Sequence, residues 1–153
     1  MKKKEWGNAV WYLFHTLAEK LKPECHSEVS VLFSHIITIC NNLPCPDCQN
    51  HAKQAMQRAN KSVITSSREN LINFLWMFHN SVNKRTKAPE YSKESLDMYK
   101  RSNTRNVIQN FISVMSENSR NERAMLNTCL KDSCYKHVYK LLNPNMCSLF
   151  YQT

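Results

Sequence analysis

Residues 66–84 read SSRENLINFLWMFHNSVNK, and this stretch decides the fold class. Ser66 is followed three residues later by Glu69, which makes a capping box of the kind that starts a helix. Apolar residues then recur at spacings of three and four, which places them on one face of an amphipathic helix. The residues that share this face are Leu71, Ile72, Leu75, Phe78, His79 and Val82.

The same helical spacing continues along the chain, while the alternation that is typical of strands is nearly absent. Pro46 suits the first position of a helix because its φ angle is fixed and it lacks an N–H group. Predicted helices run from Val10 to Leu21, Val29 to Cys40, Pro46 to about Ala59, Ser92 to Arg101, Val107 to Met115 and Arg123 to Leu142, with a polar break at Ser116–Asn121. We therefore expect an all-α fold, with a compact bundle in residues 1–103 and a C-terminal helical extension of unknown role in residues 104–153.

A single glycine in 153 residues limits the sites that this chain can build. Ordinary proteins contain roughly 7% glycine, and glycine serves tight hairpins, strand bulges and phosphate-cradling loops. Its near absence argues against β-rich folds, the glycine-rich dinucleotide turn and the P-loop. A bound nucleotide must therefore be held by helix faces and side chains.

The chain is basic, with a formal net charge of +9 from 21 Lys and Arg against 12 Asp and Glu. Positive charge favours acidic partners, phosphate groups or nucleic acid. However, the basic residues are scattered and no aromatic–basic RNA motif accompanies them, so we expect a solvated surface and no nucleic-acid partner. No stretch approaches the roughly 18 apolar residues of a membrane span. The N-terminus lacks the apolar core of a signal peptide, so we expect no secretion signal.

Seven cysteines without a secretory signal point to metal or redox chemistry, because reducing compartments rarely hold structural disulfides. The motif Cys45-x-x-Cys48 lies where one predicted helix has ended and the next begins, and cysteines so spaced can close a disulfide. The partial positive charge of the helix N-terminus favours their thiolates. Three interpretations stay open from this segment alone: a dithiol–disulfide exchanger, a zinc site completed by His51 with Cys40 nearby, and a buried pair without a role.

Two predicted helices carry aromatic and polar groups on one face. Trp11 and His15 are four residues apart and are therefore neighbours on the first helix. The helix of residues 66–84 carries a second set, which comprises Trp76, His79, Asn80, Asn83 and Lys84. Taken singly, each aromatic residue suits a core and each histidine a hydrogen-bonded filler. Together they supply the aromatic walls, ring-edge partners and cations that a flavin dinucleotide needs.

Three motifs in this order and spacing resemble the Erv/ALR family of FAD-linked sulfhydryl oxidases. They are Trp6-Gly7-x-x-x-Trp11-x-x-x-His15, Cys45-x-x-Cys48 and His79-Asn80-x-Val82-Asn83-Lys84. The resemblance covers about residues 5–100 and is strongest to the enzymes of large DNA viruses. It favours the redox interpretation of the cysteine pair over the other two.

The resemblance implies a four-helix bundle with a short fifth helix, which holds FAD in its core and forms a homodimer. Cys48 would lie against the isoalloxazine ring and pass electrons to it, while Cys45 would exchange with reduced protein thiols. The electrons would reach oxygen and give hydrogen peroxide, and a thioredoxin-like or CxxC-bearing relay protein could supply them. If the chain is viral, the resemblance places its work in the host cytoplasm and extends it to the virion.

The resemblance also implies a set of cofactor-binding residues. These are Gly7, Trp11 and His15 from the first helix; His79, Asn80, Val82, Asn83 and Lys84, with Lys87 nearby, from the fourth; and His51, Tyr91 and Tyr99 as candidates for the adenine and diphosphate side. Many family members carry a further disulfide after the fourth helix, but Ala88–Asn103 contains no cysteine. This departure weakens the similarity to the cellular enzymes more than it weakens the implied activity.

Other cysteines have more open roles. The family often adds a shuttle pair that relays electrons to the core pair, and Cys129 with Cys134 could form one. Alternatively, these two cysteines could point to different faces of a helix and stay unpaired. We expect Cys25 and Cys40 to fill the core or the surface of the first two helices, and the pairing of Cys147 is left open.

Two further functions stay open beside the oxidase. A helical interaction module stabilised by zinc would bind the metal through Cys45, Cys48 and His51, and it would be colourless. A basic adaptor would bind an acidic partner through its C-terminal helices, and it would consume no oxygen with thiols. We expect the oxidase, with FAD as its cofactor and no metal.

Overall fold

The computed structural model describes residues 3–119 and 149–152. The α-helices in this part of the chain are α1 (Lys3–Lys20), α2 (Val29–Cys40), α3 (Pro46–Arg58), α4 (Lys61–Ile64), α5 (Arg68–Thr86), α6 (Asp97–Lys100) and α7 (Thr104–Ser119). Short 3-10 helices precede α2 and α6, at Pro23–Glu28 and Lys93–Leu96. The all-α prediction is confirmed. Within the described ranges, no helix is both long enough and apolar enough to cross a membrane.

The apolar spacing predicts the bounds of α2 and the start of α3, whereas α1 begins at Lys3, seven residues before the predicted Val10. α2 begins and ends at the residues that the spacing predicts, Val29 and Cys40. α3 begins at Pro46, as expected from the preference of proline for the first helical turn. The predicted short helix after α5 is also present, as a 3-10 helix that continues into α6.

The start of α5 corrects the predicted capping box. Ser67 is the N-cap residue rather than Ser66, because its backbone is extended and its hydroxyl accepts the N–H of Asn70 at 3.0 Å. The Ser66 hydroxyl instead donates to the Val63 carbonyl at 2.6 Å. Val63 lies in the one-turn helix α4, which the apolar spacing did not predict. The contact of Ser66 with the neighbouring helix α4 therefore leaves Ser67 as the residue that caps α5.

α1 lies at the centre of the fold and packs against α5, α6 and α7. Its inward side chains Leu13, Phe14 and Leu17 are almost completely buried. Other helices add residues to the same core, among them Ile36 from α2, Met56 from α3, Leu71 and Leu75 from α5, and Ile108 and Phe111 from α7. One continuous core therefore joins the bundle to the first helix of the C-terminal extension.

The C-terminal extension differs from its prediction where it is described. The polar break expected at Ser116–Asn121 is wrong at its start, because α7 continues to Ser119. The predicted helix Arg123–Leu142 lies outside the described residues, as do Cys129, Cys134 and Cys147. A domain boundary at residue 103 stays a prediction, although residues 104–115 contribute side chains to the same core as α1.

Residues 149–152 join the C-terminal end of α1 to the start of α7. Three backbone N–H groups donate across this junction: Lys22 to the carbonyl of Leu149 (2.8 Å), Tyr151 to that of Lys20 (2.8 Å) and Thr104 to that of Gln152 (3.0 Å). The Phe150 side chain is buried between them. Because α7 starts beside the C-terminal end of α1 and packs along it, α7 runs antiparallel to α1 and ends near its N-terminus.

Replacing Phe111 by alanine tests whether α7 is part of the core. Phe111 is fully buried, so the substitution should lower the free energy of unfolding by about 3–5 kcal/mol. Gln109→Ala, on the exposed side of the same helix, should change it by less than about 0.5 kcal/mol. Urea unfolding followed by circular dichroism gives both values. If the Phe111→Ala protein were as stable as the Gln109→Ala protein, α7 would not be part of the hydrophobic core.

Candidate active site

A cavity of about 600 Å³ lies between α1, α3 and α5, with the loop after α5 along one side. Small-molecule sites have volumes of roughly 300–1,000 Å³, so its size suits a cofactor. The predicted site residues that line it are Gly7, Trp11, Cys48, His51, His79, Val82, Asn83 and Tyr91. The structure therefore brings all three sequence motifs to one place.

The cysteine pair lies at the N-terminus of α3. Cys45 is the N-cap residue and is half-buried, and its sulfur accepts the N–H of Cys48 at 3.3 Å. Pro46 occupies the first helical position, so it leaves no unused N–H there. Cys48 is buried and lines the cavity, whereas Cys45 does not. The two sulfurs therefore have different surroundings, one facing the cavity and one nearer to solvent.

Aromatic rings form one wall of the cavity. Trp11 and His79 stack face to face, with ring centroids 4.0 Å apart and planes 7° from parallel. Phe78 meets Trp11 edge-on at 5.2 Å, with an interplanar angle of 68°. All three residues line the cavity. Such a wall suits a flat heteroaromatic ring.

His15 supports this wall from behind and does not line the cavity itself. Its Nε2 lies 3.0 Å from Nδ1 of His79, and the Tyr99 ring stacks on it at 4.6 Å. Burial and the neighbouring His79 lower the pKa of His15 to about 3, and burial lowers the pKa of His79 to about 4. Both imidazoles are therefore neutral at pH 7 and share one N–H between them. Burial also raises the pKa of the Tyr99 hydroxyl.

Four other predicted site residues lie outside the cavity lining, namely Tyr99, which stacks on His15, and Asn80, Lys84 and Lys87. The Asn80 side chain is hydrogen-bonded to the backbone of Tyr91. Lys84 and Lys87 are exposed, and Lys87 has a left-handed backbone (φ 58°) that ends α5. This turn leads the following loop, including Pro89, along the cavity. The lysines thus mark the end of the helix rather than the wall of the site.

Sequence reasoning missed two cations, Lys4 and Arg85, which line the cavity. Helical spacing could have found them, because Lys4 lies three residues before Gly7 and Arg85 three after Val82. The other unpredicted lining residues are Trp6, Asn8, Val10, Phe14, Cys40, Leu43, Ala52, Phe78, Thr86, Ala88 and Pro89. Most of them are apolar side chains whose helical spacing suits a core equally well.

His51 is half-buried and packs beside Phe78, with ring centroids 6.2 Å apart. Its Nε2 lies 3.5 Å from the Ser81 hydroxyl. Burial and two nearby arginines lower the pKa of His51. Across residues 3–119 and 149–152, no group of three or more His, Cys, Asp or Glu side chains is arranged to hold a metal ion. The zinc interpretation of the cysteine pair with His51 therefore gains no support.

The sequence of the chain is similar to those of known proteins. The model of the Erv1/Alr family matches residues 8–104 of the chain. A protein of Invertebrate iridescent virus 3 that is named as an FAD-linked sulfhydryl oxidase is 34% identical over 96 residues, which are 61% of this chain and 64% of that protein. A fowlpox virus protein (strain NVSL) with the same kind of name is 33% identical over 73 residues, which are 48% of this chain and 68% of that protein.

These similarities have limited extent. The matched region spans slightly less than two thirds of the iridescent virus protein, at 64%. No solved structure gives a significant match to the chain. The family match ends at residue 104, where α7 begins.

The histidine pair should make the stability of the protein depend on pH. Both imidazoles have an ordinary pKa of 6.5, which applies to the unfolded chain, against about 3 for His15 and about 4 for His79 in the fold. Below pH 6.5 the unfolded chain therefore binds more protons, and stability that is present above this pH is lost as the pH falls toward 4. Each histidine should contribute a slope approaching about 1.4 kcal/mol per pH unit.

Urea unfolding of the wild-type chain and of His15→Gln, from about pH 7 to about pH 5, measures this contribution. The variant loses the contact with His79 and should be less stable at neutral pH. The free energy of unfolding of the variant should nevertheless fall less steeply as the pH is lowered, because only one of the two titrating histidines is left. Parallel curves for the two proteins would contradict the assignment of the slope to this pair.

Proposed function

Because the chain belongs to the Erv1/Alr family, we propose that it is an FAD-dependent sulfhydryl oxidase that forms disulfide bonds in protein substrates. One observation carries the proposal: Cys48, the buried member of the CxxC pair, lines the same cavity as the stacked rings of Trp11 and His79. Electron transfer from a dithiol to a flavin requires such a shared site. The names of both viral relatives support the same activity.

The residues of the cavity fit FAD by their chemistry. The stack of Trp11 and His79 offers a flat wall for the isoalloxazine ring. Asn83 is buried and brings a side-chain amide that can bind a ring edge. Lys4 and Arg85 are cations at the cavity that can pair with the diphosphate. Side chains supply each of these contacts, as the scarcity of glycine requires.

Thiol–disulfide exchange is the part of the reaction that the chain itself performs. Starting from the Cys45–Cys48 disulfide, a substrate thiolate attacks the Cys45 sulfur, which is the more accessible one, and Cys48 leaves as a thiolate. A second substrate thiolate then attacks the substrate sulfur of the mixed disulfide. The substrate leaves as a disulfide, and Cys45 becomes a thiolate. The Cys48 N–H, 3.3 Å away, and the helix N-terminus stabilise that charge.

Reoxidation of the two thiolates restores the Cys45–Cys48 bond and releases two electrons, while the two protons that end in hydrogen peroxide are those that the substrate thiols lost on forming thiolates. When bound, FAD accepts these electrons and passes them to oxygen. In sum, two thiols and one oxygen molecule give one disulfide and one hydrogen peroxide. Cys48 is the sulfur that is placed to hand over electrons, because it lines the cavity and Cys45 does not.

Partners and location follow from the same proposal. Reduced protein thiols, including those of a thioredoxin-like or CxxC-bearing relay protein, are the proposed substrates, and a homodimer is the proposed assembly. Cys129 and Cys134 stay a predicted shuttle pair outside the described residues. Relatives in an iridescent virus and a poxvirus favour a viral protein that works in the host cytoplasm and the virion.

Gly7→Ala should act in opposite directions on the free protein and on the flavin complex. Gly7 lies inside α1 and lines the cavity, and apart from its chain neighbours and the local helix backbone no atom lies within 4 Å of where its Cβ would stand. In the flavin-free protein, alanine should raise the free energy of unfolding by about 0.5–1 kcal/mol, because glycine loses more entropy in a helix. In the complex, the methyl group takes up cofactor space and should weaken FAD binding about tenfold.

Urea unfolding of the flavin-free variant and fluorescence titration with FAD measure these two effects separately. Weaker FAD binding together with a less stable free protein would indicate a damaged fold. Unchanged FAD affinity would remove Gly7 from the cofactor site.

Cys48→Ser should still bind FAD but should fail to reduce it with dithiothreitol, because the sulfur that faces the cavity is gone. The visible spectrum in the absence of air reports this directly, since reduction bleaches the flavin band. Cys25→Ser is the matched control, because Cys25 lies in the 3-10 helix before α2 and does not line the cavity. Rapid bleaching in the Cys48→Ser protein would overturn the role of Cys48. A wild-type protein that never binds FAD would overturn the proposed function.

A further inference from the structure

Trp76 and Asn80 bind the backbone of Tyr91 from outside the cavity. The Asn80 side chain pairs with both backbone groups of Tyr91: its Nδ2 donates to the carbonyl at 2.9 Å, and its Oδ1 accepts the N–H at 2.8 Å. The indole N–H of Trp76 donates to the same carbonyl at 2.9 Å. Neither Trp76 nor Asn80 lines the cavity, whereas Tyr91 does. Trp76 and Asn80 of α5 thus affect the cavity indirectly, by holding the backbone of Tyr91.

Tyr91 needs such anchors because packing holds it only weakly. Its side chain is 41% exposed, and it lies in the irregular segment between α5 and the following 3-10 helix. Its ring meets the His79 ring at 4.8 Å, with an interplanar angle of 60°. His79 in turn stacks on Trp11 in the aromatic wall. The position of the Tyr91 backbone therefore sets how this loop meets the wall of the site.

We propose that Trp76 and Asn80 are positioning residues of the cofactor site, which fix Tyr91 against His79 and so complete the wall that retains FAD. This inference rests on the proposed function. It also gives Asn80 a different role from the cofactor contact implied by the family resemblance, because the oxygen and one N–H of its amide are already engaged with Tyr91. The Tyr91 carbonyl accepts two donors, which is the full capacity of its lone pairs.

Two substitutions remove one donor each from that carbonyl. Trp76→Phe keeps an aromatic ring on α5 but lacks the indole N–H, and Asn80→Asp keeps the acceptor for the Tyr91 N–H but lacks the donor. Asn73→Asp is the matched control, because Asn73 lies on the same helix, is exposed and does not line the cavity. It introduces the same charge on α5 without touching Tyr91. Thermal unfolding of the three proteins checks that each one folds.

FAD release is the first measurement. Trp76→Phe and Asn80→Asp should each release FAD about fivefold faster than the wild-type protein, as expected for one lost hydrogen bond. Asn73→Asp should release it at the wild-type rate. The double variant should be less than about tenfold faster, because the two donors act on one carbonyl and their effects should not multiply. The KM for dithiothreitol should stay unchanged, while the visible circular dichroism of the bound flavin should change in both single variants.

Limited trypsin digestion of the flavin-free protein is the second measurement, and it does not depend on the proposed function. Cleavage after Lys87 and Lys93, on either side of Tyr91, should be faster in Trp76→Phe and Asn80→Asp than in the wild type and in Asn73→Asp. Equal cleavage in all four proteins would overturn the anchoring of Tyr91. Faster cleavage with unchanged FAD release would show an anchored loop without a role in the cofactor site, and would overturn the proposal. Failure of every protein to bind FAD would instead overturn the proposed function.

Discussion

The contact between His15 and His79 is the interaction on which the site depends. It joins α1 to α5 inside the core, with 3.0 Å between the two ring nitrogens. Burying an imidazole is costly unless its polar atoms are paired, and each ring gives the other that partner. Burial keeps both rings uncharged, so the stack of His79 on Trp11 forms an uncharged aromatic wall. A protonated ring here would place an unpaired cation beside the cavity.

Much of the fold could be predicted because helical spacing is a local property of the chain. The bounds of α2 match the apolar spacing, and α3 begins at Pro46, as its fixed φ angle favours. The failures lie where the answer depends on a neighbouring element. The cap of α5 is Ser67 because the Val63 carbonyl engages Ser66. Nothing in the spacing of α7 tells which core its apolar face joins.

The residues of the candidate site also fall into those that the sequence predicts and those that it does not. Trp11, Cys48 and His79 could be predicted because family motifs and helical spacing both point to them, and they line one cavity. Helical spacing from Gly7 and Val82 was compatible with Lys4 and Arg85 as cations of the site, but the family resemblance pointed to Lys84 and Lys87 instead. All four side chains are exposed, but Lys4 and Arg85 line the cavity, whereas Lys84 and Lys87 do not. Along α5, helical phase separates the two cations, because Arg85 lies three residues after the cavity-lining Val82.

α7 gives this chain a stabilising element outside the matched family region. The match covers residues 8–104, yet Ile108 and Phe111 are buried in the same core as α1. Without α7, the side of α1 that packs against it would expose a contiguous apolar surface, which soluble domains usually cover. α1 also carries Gly7, Trp11 and His15. Packing that fixes the position of α1 therefore also fixes the residues that this helix contributes to the candidate site. α7 therefore supports the candidate site, although none of its described residues lines the cavity.

The position of Cys45 links the fold to the chemistry. N-cap positions usually hold Ser, Thr, Asp or Asn, whose oxygen accepts an N–H of the first turn. In α3 the Cys45 sulfur has this role, and a thiolate is a better acceptor than a disulfide sulfur. The helix start therefore stabilises the reduced pair, and a pair whose reduced form is stabilised is a stronger oxidant of other thiols. In the proposed reaction, such a pair gains in oxidising substrate thiols what it loses in being reoxidised, so the favourable reduction of oxygen would drive the second half of the reaction.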